Sequence, residues 1–385
     1  MKILIIIPSL GYGGAEKLVI DWIRNWLAAD SVSAVTLVLY SQKYLERLGD
    51  ITAHPKFRLR FELTNTPWRM LRFRYLLHLF RLRKIIVEEA PDVVHSNLVA
   101  GIDMALLHRH LSRVKAFFHT VHGQAKYDLG GDKYRRLMLH MLRDRRCRMV
   151  AISSSVQRSI KQYYGSDSLL IPNGAQTPPA TAAECAVAAE MQVFAAAASG
   201  KKRSIFLAVG RVMPEKNYDM MCAAFRHLQQ DLSVALVVLG SFMTDADRVK
   251  YDSPNDNIHF LGAKDNVGDY MRHADFFCMT SLAEGFGLVV AEAMAVGLVP
   301  VITPTVGLTD VVEDNRHGVV AEAITVDAFE DAVRRALRLS EAEKEQIRRL
   351  NFELYDKRYR IERCAAAYLE HFLKKHSEEP SIVRL

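Results

Sequence analysis

The sequence predicts an α/β protein made of two doubly wound domains. Three observations predict it. Short β-branched apolar runs alternate with longer segments of helical spacing, the series of runs starts twice, and turn-forming and alanine-rich residues separate the two series. Continuous apolar strands separated by helices belong to parallel sheets covered on both faces. Two such series make two α/β domains. At roughly 100–200 residues per domain, a chain of 385 residues accommodates two or three.

The first series opens with Lys2–Ile7 as a buried strand. Gly11–Gly14 is a turn, and Ala15–Ala28 has helical spacing. Val35–Tyr40, Asp92–His95, Ala116–Val121 and Met149–Ser153 read as further strands. Ile171-Pro-Asn-Gly174 closes this half with turn chemistry. The second series comprises Ser204–Gly210, Ala235–Gly240, Ile258–Gly262, Phe276–Thr280, Val299–Thr303 and Gly318–Ala321. The expected domains are therefore 1–175 and 203–355, joined by an alanine-rich linker at 176–202. Alanine favours helix, so Ala180–Ala198 is expected as a linker helix. Ser340–Lys375 reads as helix throughout, and His376–Leu385 as a frayed tail.

Composition narrows the class. Half the residues are hydrophobic and a quarter charged, as in soluble globular proteins. Lys and Arg outnumber Asp and Glu by 51 to 44, a mild excess that favours anionic partners. The five cysteines show no C-x-x-C pair, so reduced thiols and a cytoplasmic setting are expected, with no zinc site. The apolar run before Pro8 is too short for a signal peptide, and no run of 18 apolar residues exists to span a membrane.

The strongest motif runs Ser281-Leu-Ala-Glu284-Gly-Phe-Gly-Leu-Val-Val-Ala-Glu292 and continues to Gly297-Leu-Val-Pro300. A strand ends near Thr280, a glycine-containing turn follows, and a helix begins near Gly287. Gly285 and Gly287 let backbone approach a ligand closely. Phe286 lies between them, and Leu288 opens the helix. Free N–H groups at the helix start attract an anion such as a diphosphate. Glu284 on the loop and Glu292 inside the helix can meet one elongated ligand at two points, each accepting bonds from vicinal hydroxyls. Gly210-Arg211 and Lys216 follow the first strand of the second series and set two cations at a strand's carboxyl end, where open α/β sheets bind ligands. Two cations can stabilise a departing diphosphate without a metal.

Here the chain resembles the retaining glycosyltransferases of family 4, whose signature is E-x7-E in this strand–loop–helix setting. The resemblance implies the GT-B architecture, two Rossmann-like domains facing across a cleft, with residues 356–385 crossing back to the N-terminal domain. It implies that Glu284 contacts the transferred sugar, Glu292 the ribose, and Arg211 with Lys216 the pyrophosphate of a UDP- or GDP-sugar. It also implies retention at the anomeric carbon, an acceptor bound by the first domain, and no cofactor or metal. Asp245-Ala-Asp247 offers only a superficial D-x-D.

Two segments of the first half join this reading. In Gly11-Tyr12-Gly13-Gly14-Ala15-Glu16 the dinucleotide fingerprint fails, because Glu16 stands at the third glycine position. The loop is instead similar to the family's G-G-A-E segment, which implies close approach of Gly13 and Gly14 to the donor diphosphate or the acceptor. Phe118-His119-Thr-Val-His122 places His122 where the family often sets a histidine near the donor sugar. His95, His119 and Tyr12 are acceptor-side candidates, although a strand-end histidine is also commonly structural.

The stretch from Trp68 to Lys84 is basic and aromatic. At helical spacing Trp68, Leu71, Tyr75, Leu79, Leu82 and Ile86 form a docking stripe. Met70, Phe73, Leu77 and Phe80 fall on another face, interleaved with Arg69, Arg74, Arg81 and Lys84, a mixture suited to anionic lipid. A buried helix with arginine on its rim is the alternative. The expected protein is thus a hexosyltransferase, UDP-sugar favoured, acting on a glycan or lipid-linked saccharide of the cell surface, peripheral on the inner face of the membrane, with no nucleic-acid partner. The rivals are a nucleotide-sugar 2-epimerase of similar shape and a non-catalytic subunit of a glycan-assembly complex.

Overall fold

The computed structural model describes residues 1–62, 71–196, 202–230, 232–242, 244–251 and 257–377. The chain divides into two compact units, Met1–Gly174 with Ile361–Leu385, and Ala175–Arg360. Trp68, Arg69, Met70 and the end of the C-terminal tail lie outside the described residues.

The first unit holds a seven-stranded sheet of β1 (Lys2–Ile7), β2 (Ala34–Leu39), β3 (Phe57–Phe61), β4 (Val93–Asn97), β5 (Ala116–Val121), β6 (Cys147–Ala151) and β7 (Leu169–Leu170). Its order is β3-β2-β1-β4-β5-β6-β7, all parallel. β3 and β7 are absent from the sequence expectation for physical reasons. β3 is an edge strand whose Arg58 and Arg60 pair with the buried carboxylate of Glu89 at 3.0 and 3.1 Å, so charge masks its apolar pattern. β7 is two residues long.

Helix Gly14–Leu27 buries Leu18, Val19, Trp22, Ile23 and Trp26, at the three- and four-residue spacing of one helix face. Trp22 and Trp26 pack on the C-terminal helix Ile361–Ser377, with ring centroids 4.7 Å from Tyr368 and 5.4 Å from Phe372 respectively. Their indole N–H groups donate to Cys364 Sγ at 3.3 Å and to the Ala365 carbonyl at 2.9 Å.

The second unit holds β8 (Ser204–Val209), β9 (Val234–Leu239), β10 (Ile258–Phe260), β11 (Phe276–Met279), β12 (Val299–Ile302) and β13 (Val319–Val320), ordered β10-β9-β8-β11-β12-β13 and again parallel. Phe206, Phe225, Phe276, Val301 and Phe329 are among the residues of its core. Thr325 and Ser340 cap its last two helices, Val326–Arg338 and Glu341–Leu354, the second with a full capping box to Glu343.

Two boundaries differ from expectation. The expected linker helix is present as Glu184–Ala195, but it packs within the second unit rather than standing between the two. Helix Glu184–Ala195 buries Val187, Met191 and Ala195, and Tyr270 Oη donates to Glu190 at 2.7 Å, so this segment belongs to the second unit. Ser340–Lys375 is not one helix. It breaks at Arg360, whose extended backbone (ψ 135°) bridges Ala175, and Ala175 N–H donates to the Tyr359 carbonyl at 2.7 Å. This tertiary pairing overrides local helical preference, and the first unit takes up the chain again at Ile361 rather than 356.

In each sheet the strand order reverses beside the first strand of its series, between β1 and β4 and between β8 and β11. Such reversals open a crevice at the carboxyl ends of the two strands, where doubly wound sheets bind their ligands.

Candidate active site

In the second unit the loops leaving β8 and β11 meet at this reversal. Leu282 N–H donates to the Glu215 carbonyl at 2.8 Å, and Thr280 Oγ1 donates to the carbonyls of Lys216 and Asn217 at 3.0 and 3.1 Å. Tyr218 Oη pins the Gly210 carbonyl at 2.9 Å. On this frame Lys216 Nζ donates to Glu284 Oε1, which also accepts from Ser281 Oγ at 2.9 Å. Arg211 is exposed and has no ion-pair partner among the described residues.

The β11 loop ends at Gly287, whose φ of +78° suits glycine, and helix Leu288–Ala295 begins directly after it. Gly285, Leu288 and Glu292 are half-buried, Glu292 in the second helical turn. Phe286 departs from its donor-contact expectation. Its side chain is buried edge-on against Tyr359, ring centroids 5.2 Å apart, so it offers a ligand only backbone. Gly307, on the loop after β12, lies so close to Glu284 that a Cβ would collide with the Glu284 carbonyl.

In the first unit His122 is half-buried at the end of β5. Its Nε2 lies 3.0 Å from Asn97 Oδ1, and its backbone N–H donates to Asp128 Oδ1 at 3.0 Å. Burial lowers its pKa to about 4, against the opposing charge of Asp128. The ring is therefore neutral near pH 7, fit to exchange hydrogen bonds with a hydroxyl.

Two acceptor-side expectations are corrected. His95 is fully buried, with Nε2 2.7 Å from Thr120 Oγ1 and its ring stacked on Trp22. Burial holds its pKa well below the ordinary histidine value. His119 is buried with Nδ1 3.2 Å from the Ser96 carbonyl and Nε2 3.2 Å from Asp128 Oδ2. Strand burial takes both away from any ligand. Tyr12 is exposed, edge-on to Tyr44 at 5.3 Å, with the Arg47 guanidinium 5.1 Å from its ring. The Glu16 carboxylate folds back against Gly13, where a Cβ would collide with it, so a carboxylate already occupies this helix start beside Gly13 and Gly14.

Helix Leu71–Glu89 carries the basic stretch. Phe73, Leu76 and Phe80 are 56%, 64% and 63% exposed, and with exposed Arg81 and Lys84 they make its outer face. Leu77 and Arg74 are half-buried, so Leu76 takes the outward place expected of Leu77. Leu82, Ile85 and Ile86 are buried. The helix is also held by His78, which bridges two buried carboxylates, Glu62 at Nδ1 and Asp103 at Nε2, the latter 3.3 Å away. Asp103 accepts from Tyr40 and Tyr75 hydroxyls at 2.6 and 2.8 Å. Burial alone would lower the His78 pKa, but hydrogen bonds and charge from Asp103 and Glu62 raise it to about 9.

Asp247 of the D-x-D accepts from Thr244 N–H at 3.0 Å and its hydroxyl at 2.8 Å, the arrangement of a helix cap. Sequence reasoning missed Ser281, Thr280, Gly307, Asn97 and Asp128. Ser281 stood three residues before Glu284 as a visible signal. Thr280, Gly307 and Asn97 act through partners distant in sequence, and Asp128 through His119 and His122 nearby in the chain, and none carries a local signature.

Comparison with known proteins follows this geometry. The family described as Glycosyltransferase Family 4 matches residues 12–177, and Glycosyl transferases group 1 matches 192–350. An uncharacterized glycosyltransferase of Methanocaldococcus jannaschii is 23% identical over 85% of this chain and 91% of its own. The UDP-Gal:α-D-GlcNAc-diphosphoundecaprenol α-1,3-galactosyltransferase of Escherichia coli is 25% identical over 66% and 68%. Anabaena HepE, crystallised with UDP and glucose, superposes with a TM-score of 0.79 at 18% identity, covering 97% of this chain and all of its own. The two family matches fall in turn on the two units and between them take in most of the sequence. The chain belongs to glycosyltransferase family 4 and is an enzyme of the GT-B fold.

Proposed function

We propose that the protein transfers a hexosyl group, with retention, from a nucleoside-diphosphate sugar to a hydroxyl of a glycan or lipid-linked acceptor, with UDP-sugar the favoured donor. The observation that carries this is the joined pair of loops at the β8–β11 reversal, which brings Lys216 onto Glu284 just ahead of helix Leu288–Ala295, with Arg211 exposed on the same β8 loop. In this reading Arg211, Lys216 and the helix N–H groups receive charge that develops on the departing diphosphate, with no metal required. Glu284 holds the sugar and Glu292 the ribose. Retention rests on the family resemblance. UDP is favoured because Anabaena HepE was crystallised with it and the E. coli relative is named for a UDP-sugar.

Calorimetry with UDP, GDP, ADP and CMP in chelator tests the donor site. One diphosphate is expected to bind at micromolar level, and Glu292→Ala to weaken it by about 1–3 kcal/mol. Binding by none of the four would end the donor-site reading and bring a non-catalytic subunit to the front.

The acceptor side of the proposal places the enzyme peripherally on the cytoplasmic face of a membrane. Among the described residues no helix is long and apolar enough to cross one. The outer face of helix Leu71–Glu89 mixes apolar and cationic side chains, as interfacial helices do. The E. coli relative is named for a diphosphoundecaprenol acceptor. Sedimentation with vesicles rich in phosphatidylglycerol should capture the protein. Phe73→Ser with Phe80→Ser should reduce capture by roughly tenfold or more while nucleotide binding stays intact. Equal capture of the wild type by neutral phosphatidylcholine vesicles would contradict the anionic preference.

A further inference from the structure

Lys216 and Glu284 reach each other from loops after different strands, and their side chains are 23% and 14% exposed. The pair is therefore open to solvent on one side and to a ligand arriving there. Ser281 Oγ holds Glu284 Oε1 independently of the lysine. The backbone bonds from Leu282 to Glu215 and from Thr280 to Lys216 and Asn217 fix both loops, so the flexible lysine side chain is the part free to move. It lies along Gly210, where a Cβ would stand only 3.6 Å from Lys216 Cε. Arg211 on the same loop is exposed and unengaged among the described residues. A diphosphate drawn to these two cations thus finds one of them already held by a carboxylate.

Resting on the donor-site reading above, we propose that the Lys216–Glu284 pair is a latch that makes the site discriminate an intact sugar nucleotide from the bare nucleoside diphosphate. The diphosphate draws Lys216 away and leaves the Glu284 carboxylate unpaired beside it, which is unfavourable. When a sugar is attached, its hydroxyls donate to the freed Oε1 and offset that penalty. A bare diphosphate has nothing to offer Glu284. The latch therefore weakens retention of the nucleoside diphosphate left after transfer and favours its departure.

The test uses the full-length protein and calorimetry with UDP and with GDP. Glu284→Gln keeps the shape and removes the charge. It is expected to tighten binding of the bare diphosphate by roughly three- to tenfold, although it deletes a site residue. Part of that gain is relief of simple repulsion, so the same change is also made with Lys216→Met. There the gain should shrink at least threefold, because no lysine remains to be contested. Unchanged or weaker diphosphate binding by Glu284→Gln overturns the latch. An equal gain with and without Lys216 overturns it too, leaving charge repulsion alone. If the wild type binds neither nucleotide, the donor-site reading fails and the latch with it. Binding without the Glu284→Gln gain removes the latch only.

Discussion

Arg211→Met together with Lys216→Met is expected to slow sugar transfer by roughly four orders of magnitude, with the fold retained. Each cation sits at the carboxyl edge of β8 on a loop braced by Tyr218 and Thr280, so neither needs to reorganise its backbone to meet a diphosphate. Preorganised charge aimed at a leaving group contributes roughly 10²–10³ in rate per group. Both side chains reach the surface, so methionine in their place leaves the core of the second unit untouched. The measurement is release of nucleoside diphosphate from saturating donor, beside circular dichroism of the variants. A double variant within tenfold of the wild type would mean that another group receives the leaving-group charge. The single Arg211→Met variant separates the two roles, since Arg211 has no carboxylate to release.

The second large effect falls on stability. Asp103→Ala is expected to destabilise the first unit by about 3–5 kcal/mol. The carboxylate is buried and accepts from Tyr40, Tyr75 and His78, so its removal leaves two hydroxyls and one side of a charged imidazole without their acceptor. The same cluster sets a pH dependence. The His78 pKa is raised from 6.5 to about 9, so its contribution is fully present below pH 6.5 and is lost as the pH rises through 9. All three tryptophans, Trp22, Trp26 and Trp68, belong to the first unit, so fluorescence-detected urea unfolding reports on it. A wild-type midpoint that stays flat between pH 6.5 and 9.5, or an Asp103→Ala variant as stable as the wild type, would contradict this account.

The strand–loop–helix passage around Glu284 was legible because its causes are local. Gly287, Glu284 and Glu292 lie within one strand–loop–helix passage, and a glycine turn followed by a helix announces itself in sequence. Arg211 and Lys216 were legible for the same reason. The histidines were not. His95 and His119 lie within strands β4 and β5 and His122 directly follows β5, and sequence alone gives all three the same standing. Only packing separates them: Trp22 and Tyr368 cover His95, and Ser96 with Asp128 enclose His119. Asp128 itself, nine residues after His119, gave no sign that it would clasp both that ring and the His122 backbone.

The sequence by itself determined two parallel α/β units, most of their strands, and the strand–loop–helix passage around Glu284. Each follows from local causes: apolar periodicity, turn chemistry and the free N–H groups of a helix start. The tertiary structure alone decided the strand order, which brings the β8 and β11 loops together and so lets Lys216 reach Glu284 across 68 residues of chain. It alone decided the edge strand β3, the break at Arg360 and the burial of His78 between Glu62 and Asp103. These depend on partners far apart in sequence, whose pairing energy outweighs local preference only once the sheet has formed.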